Sequence, residues 1–249
     1  GTEAQRTAYA VVRMPATYAA VSAALEQVAL QLPDFAPATL LDLGAGPGTA
    51  MWAAAEEFPS LESVTNVEGE RNLASLGRDL ASAAPVPAVR NGEWQVKSLS
   101  SELNVPPADL TILSYVAGEL SKRKLSETLA FAWEHTRQVL LLVEPGTPAG
   151  YANVLAARER LAAAGGSIVA PCPHAGPCPL EGIRWCHFAQ RLQRSSRHRI
   201  AKGGALGYED EKYSYCAFAK ETFTPTGTRI ISTPEASKKS VILSLCTKH

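Results

Sequence analysis

The sequence lacks a net charge, a long apolar run and a secretory signal. Its 24 lysines and arginines balance 24 aspartates and glutamates, which excludes a uniformly basic nucleic-acid-binding protein. No apolar run approaches the roughly 20 residues that a membrane-spanning helix needs, and the N-terminus lacks the charged and then apolar pattern of a signal peptide. We therefore expect a soluble, intracellular protein in which any contact with RNA comes from charge gathered on one face.

Cysteine is absent from the first two thirds of the chain. All five cysteines lie at or beyond Cys172. An odd and clustered set of this kind in an intracellular protein favours metal ligation over disulfide bonds. We therefore expect a metal site in the last third of the chain.

Short apolar runs alternate with helical segments from Thr39 onward. With 46% hydrophobic residues, the 249 residues can bury a full core as one domain that carries an insertion. The alternation indicates an α/β fold with a mostly parallel sheet and crossover helices. The predicted strands are Leu40–Leu43, Ser63–Val67, Trp94–Val96, Leu110–Tyr115 and Val139–Val143.

Both ends of the chain depart from this alternation. The N-terminal segment is alanine-rich with helical periodicity, and Pro15 predicts a break between two amphipathic helices. Near the C-terminus, Tyr213–Ala219 and Val241–Leu245 are predicted to close the sheet as an antiparallel hairpin. The expected divisions are an N-terminal helical segment (1–33), a core (34–170), a proline- and cysteine-rich insertion (171–207) and C-terminal strands (208–249).

Three alternate glycines follow the first predicted strand. Leu40–Leu43 runs into Gly44, Gly46 and Gly48 and then into an alanine-rich helix. Glycines let the backbone turn sharply and approach a ligand without a Cβ, while the N-terminus of the helix presents free N–H groups. A dinucleotide fingerprint would place glycine at Thr49. The G-x-G-x-G form instead resembles the S-adenosylmethionine (SAM) motif of class I methyltransferases, which have a Rossmann-like sheet.

The resemblance to SAM-binding proteins assigns further residues. It implies that Glu68, just after the second strand, accepts hydrogen bonds from both ribose hydroxyls, for which an ionised carboxylate is well suited. Asp42 is expected to orient the loop or the methionine amine of SAM. The candidate cofactor-binding residues are Asp42, Gly44, Ala45, Gly46, Pro47, Gly48, Glu68, Ser114 and Tyr115.

No catalytic signature is recognisable. Methyl transfer is a direct displacement in which alignment does most of the work, so no nucleophile is mandatory. The residues Ser114–Glu119 contain neither the Asn/Asp-Pro-Pro-aromatic run of an amino-directed base methylase nor the Pro-Cys pair of a cytosine-C5 enzyme. Tyr115 and Glu119 are either catalytic candidates or a core tyrosine and a solvated glutamate. Glu144 is a further candidate, since it opens a turn, Glu144–Gly150, that we predict to border the SAM methyl group.

The spacing of Cys172, Cys178 and Cys186 allows three thiolates to converge on one centre. The possible fourth ligands are Cys216, Cys246, His174 and His187. We favour Cys246, because Cys216 lies within the alternating pattern of a predicted strand. Structural zinc sites usually use C-x₂₋₄-C knuckles, which this chain lacks, so the spacing favours an iron–sulfur cluster and leaves zinc as the alternative.

A basic stretch follows the third cysteine, with no acidic residue between Glu181 and Glu209. Its cations can neutralise phosphates, and Trp185, His187 and Phe188 offer stacking surfaces, as in RNA-binding proteins. A solvated helix face is the alternative interpretation. The candidate RNA-binding residues are Arg184, Arg191, Arg194, Arg197, Arg199 and Lys202.

Several short strings along nearly the whole chain carry a further resemblance. They are Arg13–Tyr18, Asp42–Gly48, Ser114–Leu120, Glu144–Gly150, Cys172–His174, Cys178–Pro179, Trp185–Phe188 and Lys212–Tyr215. In this order they resemble the methyltransferase-like small-ribosomal-subunit proteins of bacteria and mitochondria. The resemblance implies a SAM pocket, a surface that faces RNA, and a [4Fe-4S] cluster on Cys172, Cys178, Cys186 and Cys246. The chain departs from the family at Cys216, where an aliphatic residue is usual, and in its shorter N-terminal helical region.

The resemblance leaves three functional hypotheses open. The chain is either an enzyme that methylates small-subunit rRNA or an assembly factor that binds pre-ribosomal RNA without catalysis, and the missing catalytic signature favours the second. A zinc-containing methyltransferase of small molecules, or of RNA unconnected with the ribosome, is the third. The expected partners are small-subunit rRNA and its assembly intermediates, with no membrane, and we expect a monomer off the ribosome. The expected location is the cytoplasm of a bacterium or the mitochondrial matrix of a eukaryote.

Overall fold

The chain begins with a helical run that changes type near Pro15. The computed structural model describes residues 7–99, 103–225 and 227–247. A π-helical turn, Tyr9–Arg13, passes directly into the first α-helix, α1 (Met14–Gln31). Pro15 lies in the first turn of α1, directly after the π-helical turn, so its missing N–H coincides with the change of winding. The prediction that Pro15 separates two helices is therefore wrong, because the helix changes its winding there without a break.

Helices and strands alternate through the rest of the core. The further helices are α2 (Thr49–Glu57), α3 (Arg71–Ala81), α4 (Pro87–Arg90), α5 (Lys122–Glu134), α6 (Pro148–Ala163) and α7 (Ser196–Lys202). The strands are β1 (Thr39–Leu43), β2 (Ser63–Glu68), β3 (Glu93–Val96), β4 (Ala108–Ser114), β5 (Thr136–Pro145), β6 (Ser167–Ala170), β7 (Phe188–Gln193), β8 (Tyr208–Ala219), β9 (Arg229–Ile230), β10 (Glu235–Ala236), β11 (Val241–Ile242) and β12 (Leu245–Cys246). Across the described ranges, no helix combines the length and the apolar character needed to cross a membrane.

In the described part of the chain, eight strands form one sheet in the order β3-β2-β1-β4-β5-β8-β6, with β7 also paired to β8. Strands β1 to β5 are parallel, and β8 runs antiparallel to β5, β6 and β7. The predicted α/β fold with a mostly parallel sheet is therefore confirmed, and the five predicted core strands are present. The strand order reverses between β1 and β4, and open α/β sheets bind ligands at the carboxyl ends of the strands at such a point.

Different helices cover the two faces of the sheet. Alternate residues of β1 point to opposite sides, so Leu40 packs with α1 and α2, whereas Leu41 and Leu43 pack with α5 and α6. The centre of β5, Val139–Val143, is buried on both faces, as a near-continuous apolar run predicts for a central parallel strand. The carboxyl ends of these buried strands are thereby held rigidly side by side.

The predicted C-terminal hairpin is wrong. Strand β8 contains Tyr213–Ala219 as predicted, but its neighbours are β5 on one side and β6 with β7 on the other. Both edges of β8 are therefore occupied, which leaves no place beside it for Val241–Leu245. Strands β11 and β12 pair instead with β10 and β9 in two small sheets, and Val241 and Ile242 are each 62% exposed.

A glycine at the start of α6 is required by close backbone packing. A Cβ on Gly150 would lie 2.0 Å from the carbonyl oxygen of Pro145, which is far inside van der Waals contact. We expect Gly150→Ala to lower the free energy of unfolding by about 2–4 kcal/mol, although alanine is the better helix former. Urea unfolding followed by circular dichroism measures this loss. The matched control is Gly207→Ala, because no atom lies within 4 Å of its Cβ position, and equal stability of the two variants would contradict the packing argument.

Candidate functional site

A cleft of about 410 Å³ opens at the carboxyl ends of β1 and β4. The reversal of strand order at this point places the cleft where α/β sheets bind their ligands. Of the residues predicted to bind cofactor or to carry catalysis, those that line the cleft are Gly44, Ala45, Gly46, Glu68, Ser114, Tyr115 and Glu119. The predicted residues outside this lining are Asp42, Pro47, Gly48 and Glu144.

The glycine-rich loop adopts backbone conformations that other residues rarely take. Gly44, Gly46 and Gly48 have φ angles of +76°, +57° and +80°. A Cβ on Gly44 would lie 2.5 Å from Cγ2 of Val116, so this glycine also permits the close approach of the loops that follow β1 and β4. Gly48 is the N-cap of α2, whose first residue, Thr49, lines the cleft. The loop thus brings a helix N-terminus to the cleft.

The carboxylate of Glu68 is held in place at the end of β2. One oxygen accepts a hydrogen bond from the Gly46 N–H at 2.7 Å, and the other accepts one from the Glu70 N–H at 2.6 Å. Each carboxylate oxygen has more than one acceptor position. The side chain can therefore accept further hydrogen bonds from two hydroxyl groups of a ligand in the cleft.

Asp42 is a buried carboxyl group beneath the glycine-rich loop. Its side chain is fully buried in β1, and neither oxygen has a hydrogen-bond partner among the described residues. Burial, with a further contribution from the charge of Glu68, raises the pKa of Asp42 to about 8. The carboxyl group is therefore mostly protonated at neutral pH in this structure.

The raised pKa of Asp42 predicts that the folded chain loses stability as the pH rises. The folded side chain keeps its proton up to about pH 8, whereas the unfolded one releases it near 3.8, so the folded state binds more protons between these values. We expect Asp42→Asn, which stays neutral, to match the wild-type stability near pH 4 and to exceed it by a few kcal/mol above pH 8. Urea unfolding across this range tests the prediction, and an unchanged pH slope in the variant would show that another group is responsible.

Tyr115 lies at the end of β4 in an unusual backbone conformation. Its φ angle of 58° is in the left-handed region, which a tyrosine rarely adopts. Its hydroxyl donates a hydrogen bond to Glu211 at 2.9 Å, and burial beside this acid raises the pKa of the hydroxyl, which therefore stays protonated. The residue lines the cleft and can stack on a planar ligand, while its hydroxyl is engaged with Glu211.

Glu144 holds the turn that follows β4. One carboxylate oxygen accepts a hydrogen bond from the Ala117 N–H at 2.9 Å, and the other accepts from the Gly118 N–H at 3.1 Å and from the Asn153 amide at 3.2 Å. Burial raises the pKa of Glu144, and these hydrogen bonds oppose that rise. The Glu144–Gly150 turn, which the sequence predicts at the SAM methyl group, lies outside the cleft lining and reaches it through the Ala117–Glu119 turn.

A second cavity contains the cysteines. Three of them, Cys172, Cys178 and Cys186, lie in the loop between β6 and β7, and Cys246 ends β12. All four of these cysteines line the same cavity. Cys216 also borders the cavity but is fully buried in β8, where its burial raises the pKa of the thiol.

Arg158 of α6 fixes the loop between the first two of these cysteines. Its side chain is 5% exposed and donates hydrogen bonds to the carbonyl oxygens of His174 at 3.0 Å and of Gly176 at 2.5 Å. The Sγ of Cys246 lies 3.5 Å from Nε2 of His174. The loop is therefore tied both to the core helix and to the C-terminal strand.

Side chains of the core also position Cys178 and Cys186. The Tyr151 hydroxyl of α6 donates to the Sγ of Cys178 at 3.1 Å, and the Ser214 hydroxyl of β8 donates to the carbonyl oxygen of Cys186 at 2.7 Å. The indole N–H of Trp185 donates to the carbonyl oxygen of Gly146 at 3.0 Å. The cysteine loops thus rest on the same α6 and β5–α6 turn that support the cleft.

The thiols of the cavity are costly to ionise on their own. Burial raises the pKa of Cys172 and of Cys246, and burial with repulsion from the neighbouring cysteines raises that of Cys186 to about 12. Within the described ranges, no three histidine, cysteine, aspartate or glutamate side chains are grouped so that they could hold a metal ion. The four thiols share a cavity without converging on one point.

Three of the six predicted RNA-binding cations are neutralised within the fold. Strand β7 pairs with β8, which places Arg191 opposite Asp210 at 2.7 Å. Arg194 and Lys202 both contact the carboxylate of Glu209 at 2.6 Å. The basic stretch contains no acid of its own, and its acidic partners lie in the next strand, β8. Arg191 and Arg194 thereby tie β7 and the residue after it to β8, and Lys202 ties α7 to β8.

The other three cations, Arg184, Arg197 and Arg199, are exposed. None of them forms an ion pair with a described residue. Trp185, next to Arg184 in sequence, is 38% exposed, and its ring stacks on His187 with the ring centres 5.5 Å apart. An unpaired cation and an exposed aromatic ring therefore occur together beside Cys186 in the described chain.

The cleft is also lined by residues that the sequence did not predict as site residues. Tyr9 comes from the π-helical turn, Ser98 and Leu99 follow β3, and Lys124 belongs to the first turn of α5. These residues reach the cleft because of how their segments pack on the sheet, and the local pattern predicts a helix or a loop and nothing more. The roles of Arg158 and Tyr151 beside the cysteines were not predicted from the sequence for the same reason.

The strand order, the glycine-rich loop after β1 and the acid at the end of β2 together define a Rossmann-like methyltransferase fold. Magnesium protoporphyrin IX methyltransferase from Synechocystis, solved with bound SAM, has this fold, with a TM-score of 0.51 and 13% sequence identity over 82% of this chain and 80% of that one. A likeness at this identity concerns the fold alone. Residues 3–249 match the family model described as mitochondrial small ribosomal subunit Rsm22, and the chain belongs to this family.

Two curated relatives are similar to most of the chain. The human protein named ribosome assembly protein METTL17, mitochondrial, is 28% identical over 235 residues, which cover 88% of this chain and 50% of the relative. The Schizosaccharomyces pombe protein named Rsm22-cox11 tandem protein 2, mitochondrial, is 27% identical over 249 residues, which cover 90% of this chain and 33% of the relative. The chain thus spans about half of the human relative and a third of the yeast one.

Proposed function

We propose that this chain is a SAM-binding factor that associates with the small ribosomal subunit and binds its rRNA during assembly. The observation that carries the proposal is the match to the Rsm22 family over residues 3–249. The name of the human relative describes a mitochondrial ribosome assembly protein. The proposed location is therefore the mitochondrial matrix in a eukaryote, or the cytoplasm in a bacterium, and the chain is a monomer off the ribosome.

The chemistry of the cleft supports SAM as its ligand. The glycine-rich loop permits close approach of a ligand to the backbone, and Glu68 can accept hydrogen bonds from the ribose hydroxyls. The positive amine and sulfonium groups of SAM suit a cleft whose wall carries the acidic residues Glu68 and Glu119. The residues proposed to bind SAM are Asp42, Gly44, Ala45, Gly46, Pro47, Gly48, Glu68, Ser114 and Tyr115.

We also propose that Cys172, Cys178, Cys186 and Cys246 hold a [4Fe-4S] cluster. Four thiolates are the ligand set of such a cluster, and these four side chains line one cavity. The chain lacks the C-x₂₋₄-C knuckles that structural zinc sites usually use, which favours a cluster with several irons over zinc. When bound, the cluster would join the loops before β7 to the C-terminal strand β12.

Arg184, Arg197 and Arg199 are the proposed contacts to rRNA phosphates, with Trp185 available to stack on a base. The exposure of these cations and their lack of acidic partners in the described chain support this role. Arg191, Arg194 and Lys202 contribute by holding β7, β8 and α7 in place, since acids of β8 already pair with them.

Methylation of rRNA is the second candidate function, favoured by the open wall of the cleft at Glu119. Binding without catalysis has the better support, because two of the three catalytic candidates are engaged elsewhere. The hydroxyl of Tyr115 bonds to Glu211, and the carboxylate of Glu144 bonds to backbone N–H groups. Methyl transfer that relies on alignment alone needs neither group.

The experiment that tests the proposal measures three quantities on the purified chain. These are SAM affinity by calorimetry, affinity for small-subunit rRNA, and incorporation of labelled methyl groups into precursor small subunits. We expect binding of both SAM and rRNA without methyl incorporation. Incorporation would establish the enzymatic function instead, and loss of both binding activities would contradict the proposal.

A further inference from the structure

Arg13 is an unneutralised cation beside the cleft. Its side chain is exposed, and it forms no ion pair with any residue in the described ranges. Its guanidinium lies 5.8 Å from the centre of the Tyr115 ring, which lines the cleft. Tyr9, at the other end of the same π-helical turn, also lines the cleft. The helical turn therefore brings Arg13 to the edge of the cleft above Tyr115.

The charge of the cleft makes this position distinctive. Glu68 and Glu119 give its wall an acidic character, which suits the positive groups of SAM but not its carboxylate. Lys124 is the cation among the described lining residues, and its ammonium group lies 3.8 Å from Glu127. Arg13 is therefore a cation next to Tyr115 that is available to an anionic group of a ligand at the β4 side of the cleft.

The order of the strands places Arg13 at one particular end of the proposed ligand. Ser98 follows β3, Glu68 ends β2 and Tyr115 follows β4, so the three residues mark successive positions along the cleft. If the ribose lay at Glu68 and the adenine toward β3, the methionyl group would extend past β1 toward β4. Arg13 and Tyr115 thus lie at the methionyl end.

We propose that Arg13 binds the carboxylate of the methionyl group of SAM, an inference that rests on the SAM binding proposed above. A guanidinium group matches a carboxylate in shape and can donate two parallel hydrogen bonds to it. The contact also secures the π-helical turn over the cleft, so Arg13 positions the cofactor and needs no part in the chemistry. Residues of π-helical turns frequently occur at functional sites.

The test compares the wild-type chain with Arg13→Gln by calorimetry, using SAM and decarboxylated SAM, which lacks the carboxylate. We expect Arg13→Gln to bind SAM roughly 10- to 100-fold more weakly, as the loss of a charge-assisted contact predicts. Both proteins should bind decarboxylated SAM equally. The conservative variant Arg13→Lys should recover part of the affinity for SAM.

Arg137→Gln is the matched control, because Arg137 is an exposed arginine at the amino end of β5, on the opposite edge of the sheet. Equal SAM binding by wild type and Arg13→Gln would overturn the assignment while leaving SAM binding itself intact. If Arg13→Gln weakened the binding of SAM and of decarboxylated SAM equally, the assignment would also be overturned, because the arginine would then act through packing. A selective loss of rRNA affinity would overturn it in favour of a phosphate contact. A wild-type chain that binds neither ligand would refute the proposed function as well.

Discussion

Cys246→Ser is expected to abolish the iron content of the chain. Purified without oxygen, the wild-type chain should carry about four irons and four acid-labile sulfides, the content of one [4Fe-4S] cluster. The variant should carry next to none, because serine replaces a soft thiolate with a hard oxygen ligand. Iron and sulfide analysis on both proteins measures the effect.

The structure explains why this single cysteine should matter so much. Cys246 lies in β12, a two-residue strand that pairs with the two-residue strand β9. Such short strands contribute little stability of their own. A cluster would therefore be the main link between the C-terminal strand and the loops that carry Cys172, Cys178 and Cys186. We expect the variant to lose protection of residues 227–247 in hydrogen exchange as well.

Cys216→Ala is the matched control for the loss of iron. Cys216 borders the same cavity but is 1% exposed within β8, and its neighbours are apolar core residues. The control should keep its iron. Loss of iron in Cys216→Ala together with its retention in Cys246→Ser would contradict the ligand assignment. If the wild-type chain carried one zinc and no acid-labile sulfide, the site would be a zinc site. That result would also restore the hypothesis of a small-molecule methyltransferase.

Neutralising the three unpaired arginines is expected to have the largest effect on RNA binding. The variant Arg184→Gln/Arg197→Gln/Arg199→Gln should bind small-subunit rRNA about 10- to 100-fold more weakly at low salt. Its plot of log affinity against log salt should be less steep by roughly two units, since each contact to single-stranded RNA contributes about 0.7. Filter binding or fluorescence anisotropy across a salt series measures both quantities.

The control for this variant removes charge that the fold already neutralises. Arg191 and Asp210 pair on the surface through two hydrogen bonds at 2.7 and 2.9 Å. The double variant Arg191→Gln/Asp210→Asn keeps the net charge and should retain wild-type affinity and salt dependence. If this double variant lost as much affinity as the triple variant, the division between paired and unpaired cations would be wrong.

The core and the cleft were predictable because their signals are local. The buried parallel strands appear in the sequence as apolar runs, and Leu40–Gly48 carries both the first strand and the loop that follows it. Glu68 could be placed because it immediately follows the next strand. Spacing and the family resemblance singled out four of the five cysteines as predicted ligands, and these four line one cavity.

The features that could not be predicted from the sequence depend on pairing between segments that are distant along the chain. Strands β5, β6, β7 and the C-terminal strands could each pair with β8. No local sequence pattern predicts which of them does so. The pairing of β7 with β8 brings Glu209 and Asp210 to the basic stretch, which the residues 191–202 alone do not reveal. Arg13 lies next to Tyr115 for the same reason, since α1 must first pack on the sheet.

Association with the small ribosomal subunit is the central claim, and co-sedimentation tests it most directly. Purified, iron-loaded chain is mixed with immature small subunits, mature small subunits or large subunits and separated on sucrose gradients. We predict that the chain migrates with immature small subunits and remains at the top of the gradient with large subunits. Migration with none of these particles, or equally with small and large subunits, would contradict the proposed function.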